Sequence, residues 1–257
     1  MREKYKFFVF SDIHGHYTQL IEALDTAGYD RDNESHIIVG CGDYFDRGRE
    51  NKKVYDFLCS VERKVLVRGN HDDMLLDVIE NGRYNFTHVH NGTDLTLEEF
   101  FGSENVRGDG TLAADRETSE RLMAFLRGMR NYYETDRYVF VHGWIPVIAH
   151  GGIREPLPLW RQAADLTWSH ARYLCWNEEY RAGSTLRAKT IVCGHRSVSY
   201  AAEFEKDRAS GDSSPFYGDG VIAVDALTIR SGRVNVVVIE DRTESIPWIK
   251  KSGGGNK

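Results

Sequence analysis

The sequence predicts an α/β fold in one large domain that begins with a largely parallel sheet. Three observations carry this expectation. A chain of 257 residues, 41% of them hydrophobic, can bury a large core yet stays near the upper size for a single one. Charged and aromatic contents of 28% and 12% belong to folded proteins and exclude collagen-like, disordered and coiled-coil classes. Through residue 80, short β-rich runs alternate with helical apolar spacings, the pattern of βαβ units.

Taken in order, Lys6 to Phe10 is an apolar run of strand length, and Tyr17 to Ala27 places Leu20, Ile21 and Leu24 at helical spacing before Gly28. His36 to Gly40 reads as the second strand, Lys53 to Val61 as the second helix and Lys64 to Val67 as the third strand. Asp72 to Glu80 follows as a helix carrying Met74, Leu75, Val78 and Ile79 ahead of Asn81 and Gly82. Polar stretches and glycines then break the alternation. Residues 83–135 are expected to form an inserted cap or lid that shapes access to the site, with one helix at Thr118 to Arg130. Strand-like runs return at Arg137 to Val141, Thr190 to Cys193, Val221 to Val224 and Val234 to Ile239, the last three expected together in a β-rich second half. Asp165 to Trp176 reads as a helix. The domain is therefore drawn as 1–241, with the polar stretch 242–257 expected to be a disordered tail.

Thirty-three basic residues against 39 acidic ones leave a net charge of -6, which argues against a broad basic face for nucleic acid or anionic lipid. No apolar run reaches the ~18 to 20 residues of a membrane helix. The apolar run before Ser11 is too short for a secretory signal, so a cytoplasmic protein is expected. Cys41, Cys59, Cys175 and Cys193 form no Cys-x-x-Cys pair and read as reduced, mostly core residues.

Three polar clusters each follow a predicted strand: Ser11-Asp12-Ile13-His14-Gly15-His16, Gly42-Asp43-Tyr44-Phe45-Asp46-Arg47-Gly48 and Arg68-Gly69-Asn70-His71-Asp72. Ligands in open α/β sheets bind outside the carboxyl ends of the strands, so the three loops are expected to converge. Asp12, His14, Asp43 and Asn70 supply carboxylate, imidazole and amide oxygen, ligand types suited to Mn, Fe, Zn or Co. His142 and His195 add imidazoles at two later strand ends. A single strand-end Asp or His is more often a structural residue than a ligand; the ordered series is what gives these weight.

That series, Asp-x-His, Gly-Asp-x-x-Asp-Arg-Gly, Gly-Asn-His-Asp, His-Gly and Gly-His, resembles the calcineurin-like metallophosphoesterases, and within them the phosphoprotein phosphatase branch of bacterial and phage type. The resemblance runs from Tyr5 to about Glu240, with 83–135 its least constrained part. It implies a four-layer α/β/β/α sandwich of two mixed β-sheets flanked by helices. It also implies two divalent metal ions, with Mn foremost and Fe or Zn as alternatives. Carried over, Asp12 and His14 would bind one metal, Asn70, His142 and His195 the other, and Asp43 would bridge both. A shared carboxylate and hydroxide offset the repulsion of two dications about 3.5 to 4 Å apart. The hydroxide would attack phosphorus in line, with no covalent phosphoenzyme. His71 would be the general acid, Asp46 the carboxylate that orients it, and Arg47 a fork for phosphate oxygens.

A second phosphate-binding arginine is also implied. Trp168-Ser169-His170-Ala171-Arg172 departs from the Trp-x-Arg of the phage and tetraphosphatase types and fits a Trp-x-x-Ala-Arg arrangement of other bacterial members, which makes Arg172 the candidate, with Arg161 and Arg196 as substitutes. Asp225 reads either as a partner of a metal-bound histidine or as structural, and Tyr44, Phe45 and Trp144 read as core more readily than as pocket rim. The function expected is that of a serine/threonine protein phosphatase, with a symmetrical dinucleoside tetraphosphate hydrolase as the alternative and a non-catalytic phosphopeptide-binding protein as a third reading. The expected partner is a phosphorylated protein or small phosphoester, with neither nucleic acid nor membrane; the sequence gives no oligomeric state.

Overall fold

Both faces of the first strand are apolar, which places it in an inner layer. In β1 (Lys4–Phe10), Phe7 and Val9 point to one side and Phe8 and Phe10 to the other, and all four are buried. The structure, a computed structural model, describes residues 4–151 and 153–243. The expected tail lies outside the described residues apart from Arg242 and Thr243.

Next come α1 (Tyr17–Thr26), β2 (His36–Cys41), α2 (Asn51–Ser60), β3 (Lys64–Val67) and α3 (Asn70–Asn81). Segment 83–135 holds α4 (Phe86–His90), α5 (Thr93–Phe101) and α6 (Arg116–Arg127), and ends with β4 (Tyr133–Glu134). The second half contains β5 (Tyr138–Phe140), a hairpin of β6 (Val147–His150) and β7 (Ile153–Pro156), α7 (Asp165–Ala171), α8 (Trp176–Arg181), β8 (Thr190–Cys193), β9 (Phe216–Gly218), β10 (Val221–Ala223), α9 (Thr228–Ser231) and β11 (Val237–Arg242).

The first sheet has the order β11-β1-β2-β3, with β1, β2 and β3 parallel and β11 antiparallel at the edge. The second runs β4-β5-β8-β10-β9, with β5, β8 and β10 parallel between two antiparallel edges. Phe7, Val9, Val39 and Val67 of the first sheet pack against Tyr133, Phe140 and Val192 of the second. Phe8, Phe10 and Ile38 face outward onto Leu20, Val54, Leu75, Leu97 and Leu122 from five helices. Beyond the second sheet, Val139, Ile191 and Val221 are covered by Trp144, Trp168 and Trp176. The order helix, sheet, sheet, helix is the predicted four-layer sandwich.

Three expectations need correction. The strand expected at Val234 to Ile239 starts at Val237, and it joins the first sheet, pairing Val9 with Val237, instead of completing the second half. Val237, Ile239 and Asp241 alternate with exposed residues, so this edge strand offers one face to the inter-sheet core. The helix expected over Asp165 to Trp176 is two helices, because the chain between them wraps the loop after β5: Trp144 N donates to Ala171 O at 3.1 Å, and a Cβ on Gly143 would lie 2.5 Å from Arg172 O. Segment 83–135 carries α4 and α5 besides the expected helix. The buried face of α5 includes Thr93 and Thr96, which hide the apolar periodicity.

Asp241 ties the two sheets together. From β11 its carboxylate accepts from Thr135 Oγ1 (2.7 Å), Arg137 N (2.7 Å) and Arg137 Nε (3.1 Å), which flank the start of β5. Burial pushes its pKa up, but these donors outweigh that and hold the carboxyl below the usual range. A carboxylate with a depressed folded pKa stabilises at neutral pH, and this contribution is lost as pH falls through the folded value. Asp241→Asn is therefore expected to cost about 1–3 kcal/mol in urea unfolding at pH 7. The deficit should shrink as pH drops below about 4; a deficit constant from pH 7 to pH 3 would contradict the assignment.

Candidate metal centre

Parallel strands bring their C-terminal ends to one edge, and β1, β2 and β3 each end there in a polar loop. The loops brace one another: Asp12 N donates to Gly42 O (3.0 Å), His14 N to Asp43 O (3.1 Å) and Asp43 N to Asp72 Oδ2 (3.0 Å). His142 after β5 and His195 after β8 reach the same place from the second sheet. Glycine permits the close approach at two points. A Cβ on Gly69 would stand 2.1 Å from Asp43 Oδ1, and one on Gly194 1.7 Å from Ser11 Oγ.

Asp43 is common to two groups of donors. Its carboxylate and the ring nitrogens of His14 and His71 lie within 4.8 Å of one another, and so do its carboxylate and the ring nitrogens of His142 and His195. Each group can hold a metal ion. Asn70 Oδ1 joins the second group, 2.8 Å from His142 Nε2. Asp12 lies in the same cavity, with its Oδ2 accepting from Ser11 Oγ and, at 2.9 Å, from His195 N.

The donor set fits a divalent cation. His14 Nδ1 donates to Phe45 O (2.9 Å) and His142 Nδ1 to Cys41 O (2.8 Å), which turns both Nε2 lone pairs inward. The His142 lone pair then meets oxygens, Asn70 Oδ1 and, at 3.4 Å, Asp43 Oδ1. Lone pairs converging on one point call for a positive charge there. The same crowding shows in the titration of these groups. Burial opposes charge on Asp43, yet His142 and His71 hold its pKa well below the usual range. Burial likewise disfavours the His142 imidazolium, but Asp43 raises its pKa to about 10. Burial and then His142 push His195 down to about 3, while burial and Asp225 push Asp12 up.

One of these donors, His71, also belongs to the pair expected for acid catalysis. His71 Nδ1 is 2.7 Å from Asp46 Oδ2, and Arg47 Nη2 is 3.1 Å from His71 Nε2. Burial lowers the His71 pKa, but Asp43 and the Asp46 hydrogen bond outweigh it and raise it above the ordinary value. A cavity of about 790 Å³ opens over the centre, lined by Asp12, His14, Asp43, Arg47, Asn70 and His71 and also by Arg196, Tyr200 and Arg230.

Arg172 is not brought to this cavity. It is 4% exposed, its Nη1 is 2.5 Å from Asp73 Oδ2, and its Nη2 donates to Asn131 Oδ1. Arg161 is likewise engaged elsewhere, with Glu134 at 2.6 and 2.7 Å. Of the substitutes considered, Arg196 alone lines the cavity, and its guanidinium lies 3.9 Å over the Tyr200 ring. Asp225 also lines the cavity, but its Oδ1 accepts from Leu227 N at 2.7 Å, and backbone carbonyls take the His14 and His142 protons in its stead. Tyr44, Phe45 and Trp144 are core residues. Sequence reasoning passed over Asp72, which receives Gly69 N (2.7 Å) and Asp43 N and so joins the second and third loops; its place in Gly-Asn-His-Asp was the available signal. It also missed Thr93 and Thr96, for which the pattern offered none.

The chain is 24% identical over 201 residues to serine/threonine-protein phosphatase 2 of Salmonella typhimurium, covering 77% of this chain and 82% of the relative. It is 29% identical over 156 residues to the asymmetrical bis(5'-nucleosyl)-tetraphosphatase PrpE of Bacillus subtilis, where the match spans 57% of each chain. Its fold is similar to that of a cold-active protein-tyrosine phosphatase of a psychrophilic Shewanella, with a TM-score of 0.53 at 19% identity over 91% of this chain and 75% of that one. The model of one family, described as calcineurin-like phosphoesterase, matches residues 5–238. That span takes in the second sheet, most of the first up to the start of β11, and all five strand ends of the centre, and the chain belongs to the calcineurin-like phosphoesterase family.

Proposed function

We propose that this phosphoesterase is a metal-dependent phosphomonoester hydrolase acting on phosphoserine or phosphothreonine in proteins. The observation that supports this most strongly is the array of Asp46, His71 and Arg47 beside Asp43, whose carboxylate also faces the ring nitrogens of His14, His142 and His195. Asp12 and His14 would hold one cation, Asn70, His142 and His195 a second, and Asp43 both. Two bound cations, Mn first among the candidates with Fe or Zn as alternatives, supply Lewis acidity and an activated water.

The chain's own residues do the rest. The oxygen of a water that has given one proton to solvent bonds to phosphorus as the ester P–O bond breaks in line, and the leaving alkoxide takes its proton from His71 Nε2. Asp46 at Nδ1 keeps that imidazole oriented and charged. When His71 is protonated, its Nε2 and Arg47 Nη2 are both donors 3.1 Å apart, and a phosphate oxygen seated between them satisfies both. The name of the Salmonella relative supports protein substrates. A second reading, a dinucleoside tetraphosphate hydrolase, is favoured by the lining of the cavity with Arg196 and Arg230 besides the centre, and by the name of the Bacillus relative, which is of the asymmetrical and not the expected symmetrical kind.

Chelator-stripped protein should hydrolyse a phosphoserine/phosphothreonine peptide only after Mn²⁺ is restored. Faster turnover of a dinucleoside tetraphosphate would move the assignment to the second reading, and metal binding without turnover of either would leave a phosphopeptide-binding protein. His71→Asn is expected to lower kcat by about 10²- to 10⁴-fold while metal content holds; unchanged turnover would remove His71 from the acid role. Asp43→Asn should lower the metal stoichiometry measured by elemental analysis, since Oδ2 faces His14 and His71, Oδ1 faces His142, and the amide keeps one oxygen and no charge; full occupancy would show that Asp43 does not bridge.

A further inference from the structure

The turn that carries Asp46 and Arg47 has one hydrogen bond of its own, Gly48 N to Asp46 O at 2.6 Å, and is otherwise held from outside. Asp46 and Arg47 both have positive φ, 75° and 64°, a conformation that side chains with a Cβ rarely adopt. Much of that outside support comes from α5, inside segment 83–135. Thr93 Oγ1 donates to Asp46 Oδ2 at 2.9 Å, and Thr96 Oγ1 donates to Asp46 Oδ1 at 2.8 Å. Thr96 Oγ1 also accepts from Asp46 N at 2.9 Å, so its hydrogen and a lone pair are both used on the same residue. One turn farther along α5, Glu99 accepts from Asn51 Nδ2 at 2.7 Å, and Asn51 Oδ1 is the second acceptor for Asp46 N, at 3.0 Å. Ahead of the helix, Gly92 lies so close that a Cβ there would stand 2.5 Å from Arg47 N.

Thr93, Thr96 and Glu99 follow at spacings of three and share one face of the helix. Both threonines are fully buried, and solvent cannot replace their hydroxyls. With His71 they account for the side-chain hydrogen bonds to the Asp46 carboxylate among the described residues.

From this we infer that Thr93 and Thr96 are positioning residues for acid catalysis: their hydroxyls lock the Asp46 carboxylate in the one orientation that presents Oδ2 to His71 Nδ1. The inference rests on the reading of His71 as the general acid. It gives segment 83–135 a part in the chemistry as well as in access to the cavity. A carboxylate free to turn would leave the imidazole without its orienting partner, and the proton would no longer be aimed at the leaving oxygen.

Leaving groups of different basicity test this. Phenyl phosphate expels a basic oxygen that needs a proton, whereas 2,4-dinitrophenyl phosphate expels one that does not. With Mn²⁺-loaded full-length protein, Thr93→Val and Thr96→Val are each expected to lower kcat on phenyl phosphate by roughly 10- to 100-fold. Turnover of the dinitrophenyl ester, KM for both esters and metal content should hold. Thr93→Ser and Thr96→Ser, which keep the hydroxyl, should restore turnover of phenyl phosphate. Equal loss on both esters, loss of metal, or no loss at all would each overturn the inference. His71→Asn run in parallel separates the two levels. If it shows the graded loss and the threonine variants do not, the inference alone fails; if it too is flat, the general-acid reading fails and takes the inference with it. Alanine replaces valine at any position where valine prevents folding.

Discussion

A buried carboxylate that stays ionised is the constraint on which the site depends. Asp43 sits at the point where the edges of both sheets meet, 2% exposed, with ring nitrogens arriving from the loops after β1, β5 and β8 and from the first turn of α3. Water does not stabilise its charge, so the protein must, through the His142 and His71 imidazoles and the backbone N–H of His71 at 2.9 Å. Those partners can gather only because the strands bearing them run parallel and end together. The two-sheet sandwich thus serves the site by convergence, and the apolar layers behind it keep the converging groups dry.

The same convergence leaves strain. Among the described residues, eight non-glycine positions have positive φ, and Asp12, His14, Asp43, Asp46, Arg47 and His195 are six of them. Each is a residue to which the sequence attached a chemical role. A side chain aimed across a strand-end loop at a common point needs a backbone that turns back sharply, and the hydrogen bonds between loops pay for it. Strain of this kind marks the site as clearly as its residue types do.

How much of this was legible depended on whether the information was local. The first three strands and helices follow from apolar spacing, and the loops after them from the types of residue they hold, because both are written within a few positions of the chain. The later elements depend on distant partners. The strand at Val237 was misplaced because nothing near it says that Val9 is its neighbour. Arg172 sits in a plausible motif, but Asp73 and Asn131, dozens of residues away, claim its guanidinium. Thr93 and Thr96 look like ordinary polar helix residues until Asp46 is placed beneath them. Gly194 and Gly69 similarly gain their meaning only from atoms brought up from other loops.

The pairing of β11 with β1 also bears on how the chain reaches this state. Lys4 lies opposite Arg242, so the sheet begun by the first strand is closed by the last one described. During synthesis β1 and β2 emerge early and can pair, but the outer edge of β1 stays open until almost the whole domain has left the ribosome. An uncovered apolar strand edge is a template for pairing with the wrong chain. Contacts of such long sequence separation also slow folding. Production of this protein should therefore be sensitive to how long nascent chains wait with that edge exposed, and so to chaperone supply and to the rate of expression.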